Sequence, residues 1–374
     1  MQTPKQRMLN AYKGFFSDFI PVAPEFWYFY PAKVLGVTMA EFQRDIQHWQ
    51  GMLATFKKFN ADGWGIASAD EIIPEVKIEA EYKKISPKTY RDRQILNIKR
   101  KELERSYIFH DETPFWAESY AVKDFSDVDL YVEAFTSSKI EFDFKNANEG
   151  LEKVGEDFLL EFNLGLPFFD FFYEMMGFEN AALFFMTEDE KVIEKYYNKF
   201  LVSKKRLLQQ AIEKTKYEAY FIGCSSSCNV LEGPVLWRKW DKPYLKAMTD
   251  EVHRYGKLIH NHNHGKIMET VPDLVEIGFD CVCPFERDPG DVNGIDGLKK
   301  VRKILDNKVT FNGNVHTVQA LIQGTPEIVK EQVREIKEAF AGSARFIIGT
   351  GDQVGVETPE ENIYAMIEEG RKSL

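Results

Sequence analysis

The sequence predicts an α/β protein whose second half is wound on a parallel sheet, and three observations carry that expectation. Short apolar runs alternate with segments of helical period, strand then helix, five times between residue 217 and the last helix. The runs lead into small or polar residues, Ser227, His262, Asn314 and Asp352 among them, at the strand ends where an α/β fold gathers its chemistry. No Gly/Ser linker, low-complexity tract or repeat in register divides the 374 residues, so one domain over 1–374 is expected. A parallel barrel and a doubly wound sheet both satisfy this pattern.

In chain order, residues 4–13 have helical spacing, with Met8, Leu9 and Tyr12 as the apolar edge. Residues 19–22 read as a strand closed by Pro24, followed by the aromatic run Phe26, Trp27, Tyr28, Phe29 and Tyr30. Such a run is either packing or a wall for a flat or apolar ligand. Residues 39–58 repeat Phe42, Ile46, Trp49, Met52, Leu53 and Phe56 at helical spacing. Residues 63–70 read as a buried strand with Asp70 at its C-terminal end. Residues 75–110 are Lys-rich with loosely alternating Ile, Tyr and Phe, a strand or hairpin excursion rather than a domain. Helices are expected at 124–135 and 146–153, a strand at 158–162, a greasy helix at 168–177 and another at 187–215. Strands at 217–222, 258–262, 279–283, 309–314 and 345–349 then alternate with helices at 240–255, 266–277, 294–305, 326–341 and 359–370.

Composition excludes several functions. Hydrophobic residues are 44% and charged residues 29%, a globular balance with ample core. A net charge of −11 without any basic run argues against nucleic acid or an anionic membrane as partner. No apolar signal segment and no membrane-length window is present, so a cytoplasmic protein is expected. The four cysteines do not suggest a disulfide framework in so long a chain. Cys224 and Cys228 flank a serine run, a weak ligand pair, whereas Cys281 and Cys283 fall in an apolar strand and read as core packing.

Three of the seven histidines, His260, His262 and His264, recur at every second position after Leu258-Ile259. Alternate residues of an extended chain share a face, and neutral imidazoles are the commonest transition-metal ligands. Two rings so placed can hold one ion; hydrogen-bonded core or surface histidines are the plainer reading.

A further set of segments carries a family resemblance: Gly313-Asn314, Gly324-Thr325-Pro326-Glu327, and residues 346–349 running into Thr358-Pro359-Glu360-Glu361-Asn362. Gly165-Leu166-Pro167 through Tyr173 and Gly177, Gly233-Pro234 through Lys242-Pro243-Tyr244, and Ala69-Asp70 extend it towards the N-terminus. With these the chain resembles the uroporphyrinogen decarboxylase superfamily, which also contains corrinoid-dependent methyltransferases. The resemblance implies a (β/α)8 TIM barrel with an N-terminal extension and a strand or hairpin insertion. It sets Asp70, Tyr173 and Ser227 at the positions of an essential aspartate, a pocket tyrosine and a pocket serine. In the methyltransferase branch a His-x-Cys pair and a distant Cys hold a metal; the matching positions here are His262, His264 and Asp352. Each cysteine is thus replaced by another competent ligand, which implies a retained divalent site with zinc as first choice. His260 is the alternative third ligand or a supporting partner. Relatives acting on aromatic ethers use two upstream Glu, and those places are Ser226 and Asp241, so that pattern is not met.

Chemistry decides between the branches. The decarboxylases anchor a carboxylate-crowded tetrapyrrole with an Arg-rich N-terminal segment, but residues 21–33 offer aromatics, one lysine and no arginine. Unpaired carboxylates against an apolar wall are costly. Two imidazoles and a carboxylate make a hard, Lewis-acidic centre matched to a substrate oxygen. The expectation is therefore a metal-dependent methyltransferase taking a methyl group from a small O-methyl compound. Its substrate would lie against Trp27, Tyr28, Tyr30, Phe169, Phe172 and Asn314. The resemblance implies cobalamin on a separate corrinoid protein as the acceptor. The alternative is a metal-free carboxy-lyase acting on a smaller acid, and a homo-oligomer is compatible with either.

Overall fold

A computed structural model describes residues 1–228 and 231–373. Eight parallel strands form its centre: β1 (Val22–Ala23), β2 (Trp64–Ala67), β3 (Leu159–Asn163), β4 (Ala219–Cys224), β5 (Leu258–Asn263), β6 (Cys281–Pro284), β7 (Thr310–Val315) and β8 (Phe346–Thr350). Their order is β1-β8-β7-β6-β5-β4-β3-β2, the curled parallel sheet of a (β/α)8 barrel. At the seam between β1 and β2 a side chain takes the place of a ladder. The Val22 N–H donates to Asp62 Oδ2 at 3.1 Å, and Arg7 grips the other oxygen of that buried carboxylate at 2.7 and 2.8 Å.

The N-terminal helix Pro4–Lys13 closes one end of the barrel. Thr3 caps it reciprocally with Gln6, and Gly14 at φ 76 ends it in the left-handed region that glycine tolerates. Met8 and Tyr12, both buried, pack against Trp64, Leu159, Ala219 and Phe221. Trp64, Leu159 and Ala219 begin their strands, so this helix plugs the floor. The Thr310 hydroxyl and the Arg345 guanidinium donate to the carbonyls of Ala11 and Tyr12 at 2.7 and 2.5 Å. The C-terminal strand ends stay available for chemistry.

Several boundaries depart from the sequence expectation for local reasons. The helix expected at 39–58 breaks at Ile46, which is extended at φ −121, because Thr38 and Gln47 each open a capping box of their own. The aromatic run feeds a short helix, Phe29–Leu35. The strand expected over 63–70 ends at Ala67. Asp70 instead begins a separate exposed strand, Asp70–Ile72, lying antiparallel to Glu141–Asp143. The helix expected from 187 is preceded by another, Phe178–Thr187, which Gly177 at φ 82 separates from Phe168–Met176. The Lys-rich excursion is a four-stranded antiparallel sheet, Val76–Ser86, Thr89–Ile98, Lys101–His110 and Trp116–Ser119, with Leu96, Ile98 and Leu103 on its buried side. Among the described residues no disulfide joins the four cysteines, and no helix is long and apolar enough to cross a membrane.

Candidate metal centre

β5 delivers His260 and His262 to the barrel interior, and His264 follows just beyond the strand. From the floor upward a continuous line of polar contacts runs through them. The Tyr12 hydroxyl donates to Glu161 Oε1 at 3.0 Å, and Glu161 Oε2 meets His260 Nδ1 at 2.9 Å. His260 Nε2 lies 3.1 Å from Cys283 Sγ, which in turn lies 3.0 Å from His262 Nδ1. The line ends as His262 Nε2 meets His264 Nε2 at 2.7 Å and His264 Nδ1 meets Glu286 Oε1 at 2.8 Å. Cys283 is the register partner of His262 on the neighbouring strand, which is why their side chains meet.

Glu25, two residues beyond β1, brings Oε2 to 3.9 Å from His262 Nδ1. One donor atom from each of Glu25, His262 and Cys283 lies within 4.8 Å of the others. Electrostatics mark the same spot. Burial, together with the Asp352 charge, pushes Glu25 up to about 8, with His264 opposing and Glu286 adding. Burial opposes a charge on His264, but its hydrogen bond to Glu286 and the charges of Asp352, Glu25 and Glu286 win and raise it to about 9. Burial, then the neighbouring His264 and His260, drive His262 well below the usual imidazole range. Burial raises Asp352, against the pull of His264 and of the Gln353 N–H. Three carboxyl groups thus crowd a single imidazolium, and burial with their mutual repulsion keeps a proton on Glu25 that a bound cation would displace. Nitrogen, sulfur and oxygen donors are the kinds a zinc-class ion takes, at about 2.0–2.3 Å from each.

A family model described as uroporphyrinogen decarboxylase (URO-D) matches residues 118–373. The chain belongs to the uroporphyrinogen decarboxylase family. It is 28% identical over 136 residues to uroporphyrinogen decarboxylase 1, chloroplastic, of Oryza sativa subsp. japonica, a match covering 35% of this chain and 30% of that relative. Among solved structures it is similar to a methyltransferase from Methanosarcina mazei with a TM-score of 0.62, covering 99% of this chain and 98% of that one. At 14% identity that likeness is one of fold.

Within this decarboxylase-family barrel the residues singled out from sequence separate into distinct environments. His262 and His264 are in contact, and Asp352, just past β8, lies close enough to shift Glu25 and His264. The converging donor group nevertheless pairs His262 with Glu25 and Cys283 rather than with His264 and Asp352. Trp27 lies parallel to the His262 ring at 6.4 Å and 4.4 Å from His48, and Tyr28 meets Trp27 at 5.8 Å. Tyr30 instead is fully buried against Phe26 and Phe59, its hydroxyl bonded to the Thr358 carbonyl. Phe169 and Phe172 are fully buried among Phe178, Phe184 and Phe185, where packing claims both faces of the rings.

The four polar candidates also have defined settings. Ser227 is buried and donates its hydroxyl to Asp241 at 2.6 Å. Asn314 gives both amide hydrogens to the carbonyls of Phe285 and Val292, and its oxygen accepts from Arg287. Tyr173 is half-buried beside Tyr120, and Asp70 is exposed opposite Asp143. The sequence had set Asp70, Tyr173 and Ser227 at catalytic places and Tyr30, Phe169, Phe172 and Asn314 against a substrate, and these are the contacts the structure gives them. Sequence reasoning missed Glu25, Cys283 and Glu161. The signals were present: an acid beside Pro24 at a strand end, a cysteine two positions from another on one strand face, and a charge inside the apolar run 158–162.

Proposed function

We propose that the chain is a metal-dependent methyltransferase, passing a methyl group from a small O-methyl compound to the cobalamin of a corrinoid protein. One observation carries this reading: nitrogen, sulfur and carboxyl donors of His262, Cys283 and Glu25 converge at the strand ends. A divalent ion of the zinc class held by those three residues supplies Lewis acidity towards a donor oxygen. Trp27, parallel to His262, offers a flat apolar face for an aromatic or aliphatic body attached to that oxygen. Glu286 accepts from His264 Nδ1 and from the Gly265 N–H, so the His264 ring is fixed with Nε2 toward His262. Below the site Trp64 and Phe221 pack against His260 and His262 and keep bulk water from the lower side.

The lyase reading is favoured by the family itself, but residues 21–33 contain no arginine to pair a carboxylated substrate. The test is methyl transfer to free cob(I)alamin, followed by its absorbance change, with metal-loaded protein and a panel of methoxy compounds. Transfer from at least one methoxy donor is expected. Inactivity with every donor, combined with decarboxylation of a small acid by metal-free protein, would reverse the assignment.

A further inference from the structure

Beneath the converging donors lies a pair that the proposed reaction leaves unused. Glu161 and His260 are both completely buried and joined at 2.9 Å; the sequence offered His260 as an alternative third ligand or supporting partner and gave Glu161 no role. Burying a carboxylate inside a barrel is costly unless its hydrogen bonds are made. Glu161 has one oxygen on the Tyr12 hydroxyl at 3.0 Å and the other on His260 Nδ1. A carboxylate on Nδ1 fixes the direction of an imidazole, here turning Nε2 to Cys283 Sγ at 3.1 Å, where it can take the thiol proton when a cation binds the sulfur. On its other side the same sulfur faces His262 Nδ1 at 3.0 Å. Trp64 and Phe221 meet the His260 ring edge-on at 4.7 and 5.5 Å, so the ring has little freedom to turn away.

Resting on the metal reading above, we infer that Glu161 and His260 are a positioning pair that holds the Cys283 sulfur towards His262 and Glu25. The centre therefore takes a borderline-soft divalent cation through one thiolate, one imidazole and one carboxylate. Such a set prefers Zn2+, Co2+ or Cd2+ to Mg2+ or Ca2+, because thiolate is a poor partner for hard cations. The sequence alone had implied a harder set without sulfur.

Co2+ added to the metal-free full-length chain tests this without reference to activity. A sulfur-to-cobalt charge-transfer band in the near ultraviolet is expected, absent from Cys283→Ser at Co2+ levels that still load it. Glu161→Gln should weaken Co2+ binding by about 10–100-fold, the usual effect of losing an outer partner, and should shift or weaken the band. A purely structural role would lower the melting temperature and leave the band of the folded, loaded protein unchanged. Stoichiometric Co2+ binding without the band overturns the inference, as does a Glu161→Gln protein with wild-type affinity and spectrum. Should either variant not fold, the 113Cd resonance of the unmutated chain decides: a shift typical of one sulfur ligand supports it, and an all-oxygen-and-nitrogen shift refutes it. Failure of the unmutated chain to bind any of these ions overturns the metal reading itself, an outcome distinct from binding without sulfur.

Discussion

Two buried polar clusters stand at adjacent strand ends of this barrel, and they are built on opposite principles. Beyond β4, Asp170 accepts the backbone N–H groups of Ser225, Ser226 and Ser227 at 2.9, 2.6 and 3.2 Å. Asp241 beside it accepts from the Phe168 and Phe169 N–H groups at 2.7 and 3.2 Å and from the Ser227 hydroxyl at 2.6 Å. On β5 and β6 the contacts run from side chain to side chain, His260 to Cys283 to His262 to His264. A carboxylate whose lone pairs face backbone amides is scaffold, because those amides need a partner wherever the loop is buried. A cluster whose donor atoms face one another keeps its lone pairs for something else. Burial and polarity are alike in the two; what separates them is that Asp170 and one oxygen of Asp241 are taken up by backbone amides.

The largest effect is expected where scaffold is removed. Asp170→Ala leaves three amides without their acceptor and should destabilise the fold by about 3–5 kcal/mol. Urea unfolding measures this, and the surviving folded fraction should retain its metal, since Asp170 is not among the converging donors. His262→Ala is expected to do the reverse. It should lower metal affinity by more than the roughly 10–100-fold that an outer partner costs, with the circular dichroism of the fold preserved. If Asp170→Ala lost metal first, or His262→Ala unfolded first, the distinction between the clusters would collapse. Trp27→Ala sharpens it from the substrate side. With metal content unchanged, the apparent KM for an aromatic methoxy donor should rise by about 10-fold, the equivalent of about 1.4 kcal/mol of lost ring contact.

Much of this was legible in the chain. The five strand–helix units after residue 217 could be read because apolar runs bounded by polar strand ends leave little choice of register. The barrel position of His262 followed from its alternation with His260. The inward face of Cys283 followed from the same rule, yet its thiol resembles core packing until the register partner is known. Glu25 was beyond reach for another reason. Its place is set by contacts from the far end of the chain, its N–H to the Thr350 hydroxyl and its carbonyl to the Val354 N–H. Trp27 and Phe169 look equivalent by composition, but one faces His262 and the other a closed aromatic core. The break at Ile46 was written locally, in two capping boxes that a continuous apolar stripe overrode.

The smallest effect belongs to polarity at the surface, away from the converging donors. His253 Nε2 meets Asp280 Oδ2 at 2.9 Å on a surface where the imidazole is 38% exposed. Its hydrogen bond to Asp280 raises its pKa above 6.5, with burial opposing. A raised imidazole pKa adds stability that is fully present below the unfolded value and is lost as pH rises through the folded one. Solvent screening keeps the contribution below about 1 kcal/mol. The melting-temperature gap between the native chain and His253→Gln should therefore close as pH rises from below 6.5 into the alkaline range.

Metal analysis of the purified protein and of His262→Ala tests the central claim most directly. The proposal predicts about one divalent ion of the zinc class per chain, lost in the variant while the fold persists. A well-folded native chain that stays metal-free after incubation with zinc, or a His262→Ala protein that keeps its ion, would contradict it.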